Sequence, residues 1–373
     1  MDNKSLQDCQ MAQQTGIPIN ELDTPFLWAD LDVMESNILY LSEYFKNVGV
    51  GWRPHTKGIK VPAIAHKLLD SGAIGVTCAK LSEAEVLVSA GIKDILIANQ
   101  VVGEGKISRL ARLQRHARLI VAVDSIDHAR EISEIASEIG TRISVLVEVN
   151  IGMNRCGIAP GQPAVELALQ ISNLSGIRLL GLMGWEGHVV AILDQELKEK
   201  TCIKAIESLV KTSKMLRTIG VEIPIVSCGG SGSYTITSKV PGVTEIQAGG
   251  AVFGDVTYVK WGAGIQCSLF IRATVISRPS LSRAMIDAGF KTMNGEESMP
   301  EVVDLPGVTL SGLDAEHGYL EIENEKVQLK RNDLVDFIVG YGDSTVFLHD
   351  FLIGVRKGKV EAIWEIQGRG KIT

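Results

Sequence analysis

The chain has 373 residues, a net charge of −7, and 45% hydrophobic against 22% charged side chains, the balance of a globular protein with a substantial core. The acid excess argues against nucleic acid as the main partner, because neutralising phosphates needs a basic face. The polar start, MDNKSLQDCQMAQQTG, lacks the apolar core of a secretory signal, and no run approaches the roughly 18–20 apolar residues that cross a bilayer. The six cysteines (Cys9, Cys78, Cys156, Cys202, Cys228, Cys267) form no CxxC pair, so neither a disulfide framework nor a zinc knuckle is expected. The chain reads as a cytoplasmic protein with reduced thiols and no membrane partner.

From Val48 onward, short apolar runs alternate with longer amphipathic stretches. In chain order the runs are GVGWRPH (49–55), AIGVTCAK (73–80), DILIANQ (94–100), RLIVAVDS (118–125), ISVLVEVNIG (143–152), IRLLGLMGWEG (177–187), IPIVSCGGSG (223–232) and TEIQAGGAVFGD (244–255). Each is short and rich in Val and Ile, as a strand buried on both faces should be. The stretches between them have helical spacing. One opens on Ser82 as a cap and closes at Gly91, one runs from Asp127 to Glu138, and one from Gln195 to Ile219. Eight strands separated by helices predict a (β/α)₈ TIM-type barrel of the α/β class over 25–260, with an open doubly wound sheet as the alternative. After about residue 262 the pattern changes to SLFIRATVISR (268–278), AMIDAG (284–289), GYLEIE (318–323) and VEAIWEIQG (360–368). These predict a second, mostly β domain built from 1–24 and 261–373, with a loop over 294–306.

A barrel of this kind carries its active site at the C-terminal ends of its strands. The residues found there are Arg53, His55 and Lys57 after the first run, Glu148 and Arg155 after the fifth, and Trp185, Glu186 and His188 after the sixth. The seventh run ends in CGGSGSY, and the eighth contains Gln247 and leads to Asp255 and Tyr258. WRPHTKGIKVP (52–62) alone reads as a solvated basic loop. Polar groups at so many strand ends indicate a shared pocket instead. Glycines in CGGSGSY let backbone N–H groups approach an anion, with Ser231 and Ser233 as further donors, at the strand after which barrels frequently bind phosphate. The P-loop pattern is missing, so a nucleotide is not expected. A phosphate site at strand seven and a lysine at the end of strand one together suggest pyridoxal phosphate (PLP) held as an imine. The nucleophilic lysine needs some neutral amine, which Arg53 and Lys60 are expected to favour. Lys57 lies closer to the strand end than Lys60.

WRPHTKGIKVPAIA, CAKLSEAEVLVSAGIKDILIANQVVG, EVNIGMNRCGIAPG, GLMGWEGH, SCGGSGSY and EIQAGGAVFGDVTY together resemble the D-threonine aldolase / D-serine dehydratase family. Its members are fold-type III PLP enzymes with an alanine-racemase-like barrel, and the likeness runs from about Thr24 to Arg356. The resemblance implies that Lys57 carries the cofactor, that His55 sits beside it, and that Arg155 reaches its phenolic oxygen. Gly230, Ser231 and Gly232 would line the phosphate site, with Trp185 and Gln247 as further cofactor contacts. It also implies an amino acid substrate, a homodimer, and a divalent metal bound by a His-x-Asp or His-x-Cys pair in the β domain. Two departures stand out. Gly58-Ile59 follow RPHTK where the family has Thr-His, and Tyr341 stands where the metal's histidine belongs, while Asp343 keeps the carboxylate. His317 and His349 are the candidates to replace it. The activity implied is retro-aldol cleavage of a β-hydroxy-D-amino acid to glycine and an aldehyde. Dehydration of D-serine or 3-hydroxy-D-aspartate is the alternative, as is racemisation using Lys57 and Tyr341. A non-catalytic PLP carrier and a phosphate-binding barrel without PLP complete the readings.

Overall fold

The computed structural model describes residues 14–323 and 327–373. The polar start of the chain and Cys9, on which the expectations about a signal and part of the thiol reading rest, lie outside the described residues. Strand β1 (Phe26–Asp30) and helix α1 (Leu31–Val48) come first. Then strands β2 (Gly51–Trp52), β3 (Val76–Cys78), β4 (Asp94–Ile97), β5 (Arg118–Val123), β6 (Ile143–Glu148), β7 (Ile177–Met183), β8 (Ile225–Cys228) and β9 (Glu245–Ile246) alternate with helices. These are α2 (Pro62–Asp70), α3 (Leu81–Ser89), α4 (Glu104–Leu113), α5 (Ile126–Ile139), α6 (Gln162–Ser172) and α7 (Gln195–Thr218). Every strand expected for the barrel is present, each trimmed to its most apolar residues. All six residues of β6, ISVLVE, are buried, which is why a continuous Val/Leu run rather than an alternating one marks the strand.

The eight strands are parallel, in the order β2-β9-β8-β7-β6-β5-β4-β3. The ends of that series meet where His55 bridges Thr77, and where the N–H groups of Ile74 and Thr77 donate to the Trp52 and Pro54 carbonyls. The sheet thus closes into a (β/α)₈ barrel. Helix starts follow local chemistry: Ser125 Oγ accepts the His128 N–H and Asp194 accepts the Leu197 N–H. Ser82 is not the cap of α3. That helix begins at Leu81, and the Glu83 carboxylate turns back onto the N–H groups of Ala79 and Lys80 at 2.9 and 3.0 Å, an N3 carboxylate doing what the cap side chain would.

The second sheet contains β10 (Leu269–Ser280), β11 (Arg283–Ile286), β12 (Glu301–Val302), β13 (Val308–Leu313), β14 (Gly318–Ile322), β15 (Leu334–Ile338), β16 (Phe351–Arg356) and β17 (Lys359–Glu365). Its order is β13-β14-β11-β10-β1-β16-β17, with β15 against β10 and β12. Phe26–Asp30, counted with the barrel from sequence, pairs antiparallel to β10 and parallel to β16, so it lies inside this β sheet. The stretch 294–306, expected as loop throughout, contains β12. One connection positions the site. After β15 the chain is stitched to the segment following β9, through Val256 N–H to Val339 O, Thr257 N–H to Gly340 O, and Gly342 N–H to Asp255 Oδ2. Those bonds bring Tyr341 and Asp343 over the barrel mouth.

Candidate active site

A cavity of about 290 Å³ opens at the C-terminal ends of the barrel strands. His55, Lys57, Arg155, Trp185, Gly230, Ser231, Gly232, Gln247 and Tyr341 all line it. The structure therefore brings together the residues that the resemblance assigns to the cofactor and to catalysis, with Asp343 directly behind Lys57. That carboxylate is mostly buried, and its Oδ2 lies 2.7 Å from Lys57 Nζ.

One wall of the cavity is backbone. The loop after β8 is held from behind by Glu186, which is fully buried. Its carboxylate accepts the Gly229 N–H at 3.2 Å and the hydroxyls of Ser233 (2.7 Å) and Thr237. Gly229 has φ +75°, a conformation that glycine adopts without strain. Ser231 Oγ accepts the Ala251 N–H, which ties the β8 loop to the turn after β9. Among the described residues, the N–H groups of Ser231, Gly232, Gly249 and Gly250 have no acceptor in the protein, and all four residues line the cavity. Buried N–H groups are rarely left unpaired, and a cluster of them at one mouth suits an anion such as a phosphate. A Cβ on Gly249 would lie 1.9 Å from the His55 carbonyl oxygen, so this turn must run against the β2 end.

The other wall is side chain. Trp185 has the Arg155 guanidinium 5.0 Å and Lys57 Nζ 5.8 Å from its ring centre. Gln247 Nε2 donates to Ser227 Oγ at 3.0 Å. His55 Nδ1 accepts the Lys57 backbone N–H at 3.3 Å. Desolvation, then the Lys57 charge, lowers the pKa of its ring to about 3, so His55 is a neutral imidazole. Asp343 accepts a hydrogen bond from Tyr341 Oη at 3.0 Å and one from Tyr258 Oη at 3.3 Å. Burial alone would raise the Asp343 pKa; the charge and hydrogen bond of Lys57, then the Tyr341 bond, hold it below the usual carboxylate range. Burial first and the Asp343 charge second push both phenols up, so they remain donors.

Arg53 and Lys60 do not act on Lys57 as expected from sequence. Arg53 is buried between Glu245 (3.0 Å) and Asp94, and Lys60 is paired with Glu83, so each charge is met by its own carboxylate. His317 and His349 do not line the cavity; His349 Nε2 lies 2.7 Å from the Thr292 carbonyl. Glu148, Tyr258 and Gln100, which stand at strand ends in the sequence without an assigned role, also reach the cavity, as does Trp261, which the sequence does not single out. Burial pushes the Glu148 pKa up, even though Gln100 donates to it. The signal for Glu148 and Tyr258 was position after a strand, without a motif to give either a role.

Comparison with known proteins bears on this geometry. The model of the alanine racemase N-terminal domain matches residues 29–257, and that of a putative serine dehydratase domain matches 268–355. The chain is 35% identical over 361 residues to D-threonine aldolase of an Arthrobacter species, covering 96% of this chain and 95% of that one. It is 33% identical to 3-hydroxy-D-aspartate aldolase of Paracoccus denitrificans strain Pd 1222, over 95% and 94% of the two chains. The solved D-threonine aldolase from Filomicrobium marinum superimposes with a TM-score of 0.94 at 38% identity, over 96% of this chain and 98% of that one.

Proposed function

The chain belongs to the D-threonine aldolase / D-serine dehydratase family, fold-type III lyases with an alanine-racemase-like barrel, and from that premise we propose that it is a PLP-dependent aldolase of β-hydroxy-D-amino acids. The observation that carries the proposal is a lysine amine at one side of a cavity whose other wall presents four unpaired backbone N–H groups. A phosphate on those N–H groups and an aldehyde carbon at Lys57 are the two ends of PLP, so the residues fit the cofactor. Ser231, Gly232, Gly249 and Gly250 would hold the phosphate, Lys57 the aldehyde carbon, and Trp185, Arg155, His55 and Gln247 the ring. Once bound, the cofactor supplies delocalisation of an electron pair left on the substrate's α-carbon.

The chain's own residues then select the bond that breaks. Retro-aldol cleavage needs an acceptor for the β-hydroxyl proton, and dehydration needs a donor for a departing hydroxide. Asp343, beside Lys57 with both oxygens accepting hydrogen bonds, is the acceptor that cleavage needs, and the likeness to aldolases supports cleavage over dehydration. Racemisation needs two proton-transfer groups on opposite faces of the substrate. Lys57 Nζ and Tyr341 Oη instead meet on the same Asp343 oxygen, Oδ2, and burial beside the Asp343 charge keeps the Tyr341 phenol protonated, so it is a donor and not an acceptor of the proton.

The proposal extends to a homodimer, as the resemblance implies, and to a cytoplasmic location, as the cysteine spacing suggests. Cys78, Cys156, Cys202, Cys228 and Cys267 are free thiols, which suits a reducing compartment. Among the described residues no helix is long and apolar enough to cross a membrane. The test is product analysis after incubation with D-threonine, D-serine and D-alanine. Glycine plus an aldehyde supports the proposal. Ammonia plus an oxo acid, or the enantiomer, contradicts it in favour of the dehydratase or the racemase.

A further inference from the structure

The metal that the resemblance implies does not fit the residues present. Among the described residues no three His, Cys, Asp or Glu side chains stand close enough together to hold an ion. At the expected pair, Tyr341 brings a phenol whose O–H is donated to Asp343 in place of an imidazole, and a phenol is a far weaker ligand than imidazole for a divalent transition metal. Asp343 has both oxygens engaged by donors: Lys57 Nζ and Tyr341 Oη on Oδ2, and Tyr258 Oη on Oδ1. Among the described residues His317 and His349 lie away from the cavity, and His55, which lines it, completes no group of three ligands with Asp343.

The second departure from the family pattern meets the same carboxylate. A Cβ built on Gly58 would lie 2.1 Å from Asp343 Oδ1 and 3.1 Å from its Cγ. Any side chain at position 58, the family's threonine included, would force Asp343 out of its present place. Gly58 and Tyr341 are 283 residues apart in sequence, yet both shape the seat of one side chain. Two changes that converge on one carboxylate describe a rebuilt site, whereas the loss of a single ligand would leave its neighbours as they were.

We infer that this chain works without a divalent ion, and that Asp343, steadied by Tyr341 and Tyr258, itself accepts the proton of the substrate's β-hydroxyl. The inference rests on the lyase reading above. Once Lys57 has been loaded with the cofactor and then exchanged for the substrate amine, it would be a neutral amine with no ammonium charge on Oδ2, leaving Asp343 a lone pair for the substrate. The hydroxyl proton passes to Asp343, the O–H pair becomes the second bond of the aldehyde carbonyl, and the Cα–Cβ bond breaks with its pair left on the α-carbon. A proton returned to that carbon completes glycine, so the reaction balances with no co-reactant.

The test uses the PLP-loaded enzyme dialysed against a chelator and then freed of it. Elemental analysis is expected to find far less than one Mn, Zn, Co or Ni per subunit, and calorimetric titration with Mn²⁺ no saturable binding. Glycine formation should change less than about twofold between chelator and added Mn²⁺, whereas D343N should lose about a hundredfold or more while keeping the cofactor's visible band. The double variant G58T/Y341H should gain saturable Mn²⁺ binding. One tightly held ion per wild-type subunit, or activity lost on chelation and restored by Mn²⁺, overturns the inference. If no β-hydroxy-D-amino acid is cleaved with or without Mn²⁺, the lyase reading falls, while saturable Mn²⁺ binding by the wild type would overturn the ion-free site on its own.

Discussion

The two walls of the cavity contrast in what they are made of and how far they reach along the chain. The N–H wall is main chain from two turns, after β8 and after β9, linked by the Ser231–Ala251 hydrogen bond and braced from behind by Glu186. The proton-transfer wall is side chain, and it exists only because the β domain lays Tyr341 and Asp343 on a lysine nearly 290 residues earlier. A backbone wall depends on conformation, so it is sensitive to added atoms and to loss of its brace. A side-chain wall depends on chemical identity, so exchanging a single functional group alters the reaction while the fold persists.

Substitutions that affect one wall and spare the other sharpen this contrast. The largest effect is expected for Lys57→Ala, with activity down about a thousandfold or more and the visible cofactor band lost, as read by product assay and absorbance. Without cofactor its unfolding midpoint should fall only modestly, because Asp343 loses its ammonium partner but keeps its Tyr341 and Tyr258 donors. Glu186→Ala should do the reverse. It strands the Gly229 N–H and the Ser233 and Thr237 hydroxyls in a dry environment, at a cost of about 3 kcal/mol in denaturant unfolding, with weaker cofactor retention. Gly249→Ala touches both walls, since its Cβ would press on the His55 carbonyl. About 2 kcal/mol of destabilisation is expected, together with a higher cofactor dissociation constant.

A smaller and graded effect belongs to Asp255, which accepts the Gly342 N–H beneath the proton-transfer wall. Burial outweighs its backbone hydrogen bonds and raises its pKa to about 7. The folded chain therefore keeps a proton on Asp255 that the unfolded chain releases near pH 4. This contribution to stability is complete below the unfolded pKa and is lost as pH rises through about 7. Asp255→Asn should remove it, so that the stability difference between variant and wild type changes by on the order of 1 kcal/mol per pH unit over that window. A flat difference from pH 4 to 8 would show that Asp255 is ionised throughout.

Much of the barrel was legible because buried parallel strands require Val and Ile runs, and because a barrel assigns its site to strand ends. Lys57 and the β8 glycines followed from that rule. What could not be read was contact between distant segments. FLWAD at β1 has no local sign that its partners are β10 and β16, more than two hundred residues away. Arg53 and Lys60 adjoin Lys57 in sequence and so look like its electrostatic neighbours, yet their side chains point to Glu245, Asp94 and Glu83. Tyr258 ends the EIQAGGAVFGDVTY stretch without a role assigned to it, and its place on Asp343 depends on the stitching of β9 to β15. The departures at Gly58 and Tyr341 were visible one by one. Only the fold shows that they meet.

The central claim is that the lysine at the end of β2 anchors the cofactor in a cavity with one anion-binding wall and one proton-transfer wall. Borohydride reduction of the PLP-loaded enzyme, followed by proteolysis and mass mapping, tests it most directly. The account predicts a single pyridoxyl label on the peptide containing Lys57. A label on Lys60, Lys80 or any other lysine, or a protein that holds no reducible cofactor, would contradict it.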